Sequence, residues 1–138
     1  MKDFHDGNAL IAAVDDDEAV RSAISSLVRS VGYRCISFGS AEDFLVSAGL
    51  SVTDCALLDI RMQGMDGLDL QRALAEMKCE IPIIYVTASS DAQLRERAFR
   101  QGAIAFLVKP FGDEDLLDAI NQALCDGPHD AWQASGSR

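Results

Sequence analysis

The chain has 138 residues, 49% of them hydrophobic, and a net charge of −10. That length and apolar content support one domain with a real core, and no apolar run approaches membrane-spanning length. The acidic balance excludes the basic surface that sequence-independent nucleic-acid binding needs, so no direct contact with nucleic acid or membrane is expected.

In chain order, residues 1–8 read as a loose tail with an exposed His5 and no apolar signal segment, which predicts a cytoplasmic protein. A domain is expected over residues 9–126. Ala9-Leu-Ile-Ala-Ala-Val14 is a short apolar strand that runs straight into Asp15-Asp16-Asp17-Glu18. The spacing of Val20, Ile24, Leu27, Val28 and Val31 predicts a helix closed by Gly32. Tyr33 to Phe38 is the second strand. Ser40 caps a second helix carrying Phe44, Leu45 and Ala48, with Gly49 at its end and Asp43 placed as in a capping box.

The third strand, about residues 54–58, delivers Asp59 to a glycine-rich loop, Gly64-Met-Asp-Gly67. Leu68, Leu70, Leu74 and Met77 mark the third helix. Pro82 opens the fourth strand, Ile83-Ile-Tyr-Val86, which ends at Thr87-Ala88-Ser89. The helix from about 91 to 101 holds Arg95, Arg97 and Arg100 but few apolar residues (Leu94, Ala98, Phe99), so its grip on the core is expected to be weak. Ala103 to Val108 is the fifth strand and leads to Lys109-Pro110. A last helix, about Asp113 to Cys125, presents Leu116, Leu117, Ile120 and Leu124 and is stopped by Gly127-Pro128. Residues 127–138, including Trp132, have the composition of a flexible tail or the start of a linker. Cys35, Cys55, Cys79 and Cys125 are scattered, without a CxxC pair or nearby histidines, which argues against zinc and disulfides and predicts small, buried, reduced thiols.

Strand then helix, five times over, is the pattern of an α/β, doubly wound, five-stranded parallel sheet of the flavodoxin-like (βα)5 type, with strand order 2-1-3-4-5. Sites in such sheets lie beyond the carboxyl ends of the strands. There the pattern gathers Asp15 and Asp16, Asp59, Thr87 and Lys109. Asp59 alone could merely cap its loop, but three carboxylates in one crevice repel, and a hard divalent cation with oxygen ligands, Mg²⁺, removes the conflict. A carboxylate beside such a cation can act as a nucleophile toward phosphorus. Mg²⁺, Lys109, and Thr87 with the Ala88 N–H would then cover the three phosphoryl oxygens.

Val14-Asp-Asp-Asp-Glu-Ala-Val-Arg21, Leu58-Asp-Ile-Arg-Met62 with Gly64-Met-Asp-Gly67, Val86-Thr-Ala88 and Gly102-Ala-Ile-Ala-Phe-Leu-Val-Lys-Pro-Phe111 together resemble the receiver (CheY-like) domain of two-component response regulators, by local detail the FixJ/NarL type. The resemblance spans about residues 9–126. It implies Asp59 as phospho-acceptor, and Asp15, Asp16, Asp59 and the Arg61 backbone carbonyl as Mg²⁺ ligands. Asp17 and Glu18 fall instead where the first helix begins. It further implies Lys109 on the phosphoryl group, a cis Lys109–Pro110 bond, and Thr87 with Phe106 as a switch pair, although Phe106, lacking a hydroxyl, also suits a plain core position. Gln63 stands where the family usually has proline, which puts loop rigidity in doubt. Arg61 and Ser89 fall where the family tunes hydrolysis of the phosphoryl group.

The implied partner is a sensor histidine kinase, with a possible homodimer through the fourth helix and fifth strand on phosphorylation. The implied output is transcription where an effector domain follows. The alternative is a stand-alone receiver acting by protein–protein contact or phosphorelay. A haloacid-dehalogenase-like phosphotransferase would want an aspartate where Arg61 stands, and a flavin-binding flavodoxin would not place three aspartates against a phosphate. A receiver that only binds partners usually lacks one of the key residues, and none is lacking here.

Overall fold

The computed structural model describes residues 9–126. The expected tails at 1–8 and 127–138, with His5, Trp132 and the Gly127-Pro128 stop, lie outside the described residues. Strands and helices alternate as β1 (Leu10–Val14), α1 (Glu18–Ser30), β2 (Arg34–Phe38), α2 (Ala41–Leu45), β3 (Cys55–Leu58), α3 (Gly67–Glu76), β4 (Ile83–Thr87), α4 (Ala92–Arg100), β5 (Ala105–Val108) and α5 (Asp113–Asp126). The strands pair in parallel in the order β2-β1-β3-β4-β5, as the pattern predicts.

Every residue of β1, β3 and β4 is buried, which is why these runs read as continuously apolar rather than alternating. The alternation is instead between two cores. Ala12, Val14, Ala56, Leu58, Ile83 and Tyr85 face the side covered by α2, α3 and α4. Ile11, Ala13, Cys55, Leu57, Ile84 and Val86 face the side covered by α1 and α5. Among the described residues, no helix is long and apolar enough to cross a membrane.

Several boundaries differ from expectation, each for a local reason. α2 ends at Leu45, and the Ser47 side chain accepts from Gly49 N–H to start a separate 3-10 turn over Ala48–Val52. Gly49 therefore does not end the helix. A Cβ there would lie 2.7 Å from Ile36 Cδ1, so this turn sits close against that side chain of β2. Val31 and Met77, expected on apolar helix faces, are the C-cap residues of α1 and α3 and lie 49% and 53% exposed, where each helix turns away from the core. β5 begins at Ala105; the Ala103 N–H is taken by the Ala98 carbonyl at the end of α4, and the Ile104 N–H makes the first bond to β4, at the Ile83 carbonyl. Cys35 and Cys55 are buried thiols as expected, but Cys79 is half-buried and Cys125, on the outer side of α5, is exposed.

Candidate functional site

Three strands carry their hydrogen-bond ladders one residue beyond their ends. Asp15 N–H donates to the Phe38 carbonyl at 3.1 Å, Asp59 N–H to that of Val14 at 3.0 Å and Lys109 N–H to that of Thr87 at 2.8 Å. The three residues are thus fixed by the sheet although they lie in loops, which is what a site requiring set distances needs. The Lys109–Pro110 peptide that follows is cis.

Lys109 Nζ donates to Asp15 Oδ2 at 2.9 Å and to Asp59 Oδ2 at 3.3 Å, so one ammonium bridges the carboxylates of two neighbouring strands. The other oxygens are held by backbone: Asp17 N–H donates to Asp15 Oδ1 and Arg61 N–H to Asp59 Oδ1. Asp15 and Asp59 are buried, whereas Asp16 is exposed beside them. Burial raises the Asp15 pKa above its ordinary value, and the nearby Asp59 charge adds to this against the hydrogen bonds from Lys109 and Asp17. Lys109 is also raised. Burial of the ammonium works the other way, but the Asp15 hydrogen bond and the charges of Asp59 and Asp15 more than offset it.

Asp15, Asp16 and Asp59 each offer a carboxylate oxygen, and the three lie within 4.8 Å of one another. A set of hard oxygen donors on three carboxylates fits a hard divalent cation such as Mg²⁺. Asp16 and Arg61 also border a cleft of about 460 Å³, walled by residues of the loop from Ile60 to Asp66 and by Leu94 of α4. Asp17 and Glu18 stand apart from this cluster. Asp17 is the N-cap of α1, its carboxylate accepting from Ala19 N–H, and Glu18 lies in the first turn.

Thr87 is buried at the end of β4, its Oγ1 accepting from Ser89 N–H at 3.3 Å, and Ala88 beyond it is exposed. Among the described residues no hydrogen bond joins Thr87 or Ala88 to the carboxylates. Phe106 points into the core, 9% exposed, its ring 6.2 Å from that of Tyr85.

Four supporting groups were missing from the sequence reading. Arg21 Nη1 donates to the Asp15 carbonyl at 2.6 Å, fastening the β1–α1 loop. The Tyr85 hydroxyl lies 2.9 Å from the Gly67 carbonyl oxygen and 2.7 Å from Gln71 Oε1, and Gln101 Nε2 donates to the same Oε1 at 3.0 Å. Tyr85 thereby ties β4 to α3, and Gln71 joins α3 to the C-cap of α4. Burial pushes its phenol pKa well up, so it remains a hydrogen-bond donor. Arg21 has a faint sequence signal, a cation one turn into the helix after an acidic loop; the pairing of Tyr85, Gln71 and Gln101 has none.

A family model described as the response regulator receiver domain matches residues 11–121. This chain belongs to the response regulator receiver family. It is 48% identical over 121 residues to the response regulator protein TmoT of Ectopseudomonas mendocina, covering 88% of this chain and 55% of that protein. The solved structure of the response regulator StyR superposes with a TM-score of 0.81 at 39% identity, covering 94% of this chain and 65% of that one. The structure of FixJ-N superposes at 0.76 and 32% identity, covering 84% of this chain and 93% of that one. The receiver spans about half the length of the curated relatives it matches. Transcriptional regulators stand among those relatives, FixJ and TdiR included.

Proposed function

We propose that the receiver is a phosphorylatable switch in which Asp59 is the acceptor. The observation that carries this is Lys109 bridging the buried carboxylates of Asp15 and Asp59, with Asp16 beside them. A sensor histidine kinase supplies the phosphoryl group. An Asp59 carboxylate oxygen attacks phosphorus, the P–N bond to the donor imidazole breaks, and an acyl phosphate forms on Asp59. A magnesium ion held by Asp15, Asp16, Asp59 and the Arg61 backbone carbonyl would neutralise phosphoryl charge. Lys109, already between the strands, follows a second phosphoryl oxygen. Thr87 Oγ1 with the Ala88 N–H serves the third, and small, exposed Ala88 leaves room for it.

Thr87 and Phe106 then act as the switch pair. As the threonine hydroxyl turns toward the phosphoryl group, the Phe106 ring moves into the vacated space, and the face built from α4, β5 and α5 changes. That face binds partners, or a second copy of the chain through α4 and β5. Working in the cytoplasm, the receiver would control transcription through a DNA-binding region of the full-length protein. The domain occupies about residues 9–126.

Intact mass after incubation with acetyl phosphate and Mg²⁺ tests the assignment. One phosphoryl adduct is expected on the native chain and none on Asp59→Asn, and chelator should abolish the first. An adduct that persists in Asp59→Asn, or no adduct on either, overturns it.

A further inference from the structure

The loop from Arg61 to Asp66 forms the wall of the cleft beside the acidic cluster, and little in its own sequence stiffens it. Gln63 and Gly64 leave φ free, and residues 61–66 form neither helix nor strand. Its ends are fixed: Gly67 N–H donates to the Ile60 carbonyl at 2.9 Å, and Asp66 caps α3 in a capping box. Between those ends, the carboxylate of Glu42 in α2, 23 positions earlier, accepts from Met65 N–H at 2.9 Å. Among the described residues this is the one hydrogen bond that reaches the backbone of residues 61–65 from another element. Gly64 is shaped to admit it, since its φ is +77° and a Cβ there would stand 2.8 Å from Glu42 Oε2. The Met65 hydrogen bond also holds the Glu42 pKa below its ordinary value, as expected of a carboxylate that receives a backbone N–H.

We propose that Glu42 is a positioning residue. By holding Met65 it sets the course of the loop that presents the Arg61 backbone to the metal-binding cluster, doing from a neighbouring helix what a rigid residue at position 63 would do from within. This rests on the function proposed above, because a loop held in place matters only where Arg61 has something to bind. Glu42 touches neither the cluster nor the phosphoryl group, and its effect runs entirely through the loop.

The test uses Glu42→Ala, which removes the acceptor, and Glu42→Gln, which removes the charge but keeps an acceptor oxygen. In metal-free protein, backbone ¹⁵N order parameters of residues 63–65 are expected near about 0.85 in the native chain and Glu42→Gln, and below about 0.6 in Glu42→Ala. On titration with Mg²⁺ alone, the dissociation constant should rise about threefold to tenfold in Glu42→Ala and stay close to native in Glu42→Gln, a supporting-contact effect at or below the low end of the usual range. Unchanged order parameters in Glu42→Ala overturn the tether. An unchanged Mg²⁺ affinity alongside a loosened loop overturns the positioning role. Glu42→Gln behaving like Glu42→Ala also overturns the hydrogen-bond tether, because that variant keeps an acceptor oxygen for the Met65 N–H. A native chain that takes up no Mg²⁺ removes the functional reading and this role with it, whereas native uptake with an unaffected Glu42→Ala removes this role alone.

Discussion

Two helices lie on the same face of the sheet and are held very differently. In α3, five of the ten residues are buried: Gly67, Leu68, Leu70, Gln71 and Leu74. Its first residue packs so tightly that a Cβ on Gly67 would stand 2.4 Å from the Asp59 carbonyl oxygen. In α4, nine residues long, only Ala98 is buried, and Phe99 lies 38% exposed beneath the Arg95 guanidinium. Beyond side-chain packing, α4 is tied at its C-terminal end, by Gln101 to Gln71 and by the Ala98 carbonyl to Ala103 N–H. The helix that abuts Asp59 is part of the floor of the site, and the helix beyond it is a wall that can shift at small cost. The switch proposed above, which keeps three carboxylates in register while an outer face changes, would draw on that inequality.

The comparison breaks if the two helices cost the same to weaken. Leu70→Ala should lower unfolding free energy by about 2–5 kcal/mol, the range for a fully buried leucine in a packed core. Leu94→Ala, at a half-buried position on α4, should cost under about 1 kcal/mol. Urea unfolding of both variants decides it, and equal losses would remove the distinction between floor and wall.

Next in size is Tyr85→Phe. It keeps the ring against Phe106 and Gly67 but takes the only proton shared by Gln71 and the Gly67 carbonyl. A loss of about 1–2 kcal/mol is expected, the cost of leaving buried acceptors short of a donor. Amide exchange should accelerate in α4 more than in α3, because the polar tie between them runs through Gln71. Uniform acceleration would mean that Tyr85 contributes only to the core.

How far these features could be read in advance depended on their range. The strand order followed from short apolar runs alternating with helical periods, and the ends of β1, β3 and β5 were legible because a charge that follows directly on a short apolar run is conspicuous. The clustering of Asp15, Asp16 and Asp59 is therefore legible in the sequence. The weak hold of α4 was visible too, since arginines at 95, 97 and 100 leave little apolar face. What escaped was set by tertiary contact. Gly49 looked like a helix stop but serves a close approach to Ile36, and Val31 and Met77 kept helical spacing yet fell at caps. Glu42 reads as one more surface acid, because nothing local reveals a backbone N–H 23 residues away. Gln63 leaves the rigidity of its loop open in the sequence, and the carboxylate that meets the loop, Glu42, lies on another element.

The smallest effect sharpens the comparison by reversing its sign. The floor, well packed, carries an electrostatic cost: burial raises the Asp15 pKa, with the Asp59 charge adding to it, and Lys109, reaching in from the end of β5, relieves only part. A carboxyl whose pKa is higher folded than unfolded supports the fold fully below the unfolded value, 3.8, and withdraws that support as pH rises through the folded value. Lys109 adds no titration of its own there, because its raised pKa keeps it protonated until well above neutrality. Asp15→Asn keeps an oxygen for the Asp17 N–H and removes the buried charge. It should therefore raise stability near neutral pH, by up to about 1 kcal/mol. The gain should shrink as pH falls toward 3.8, where the native carboxyl takes up its proton. Thermal melts of both proteins at neutral and acid pH test this. A variant less stable than the native chain at neutral pH would mean that the Lys109 bridge outweighs the burial it requires, and that the floor stores no strain for a bound cation to relieve.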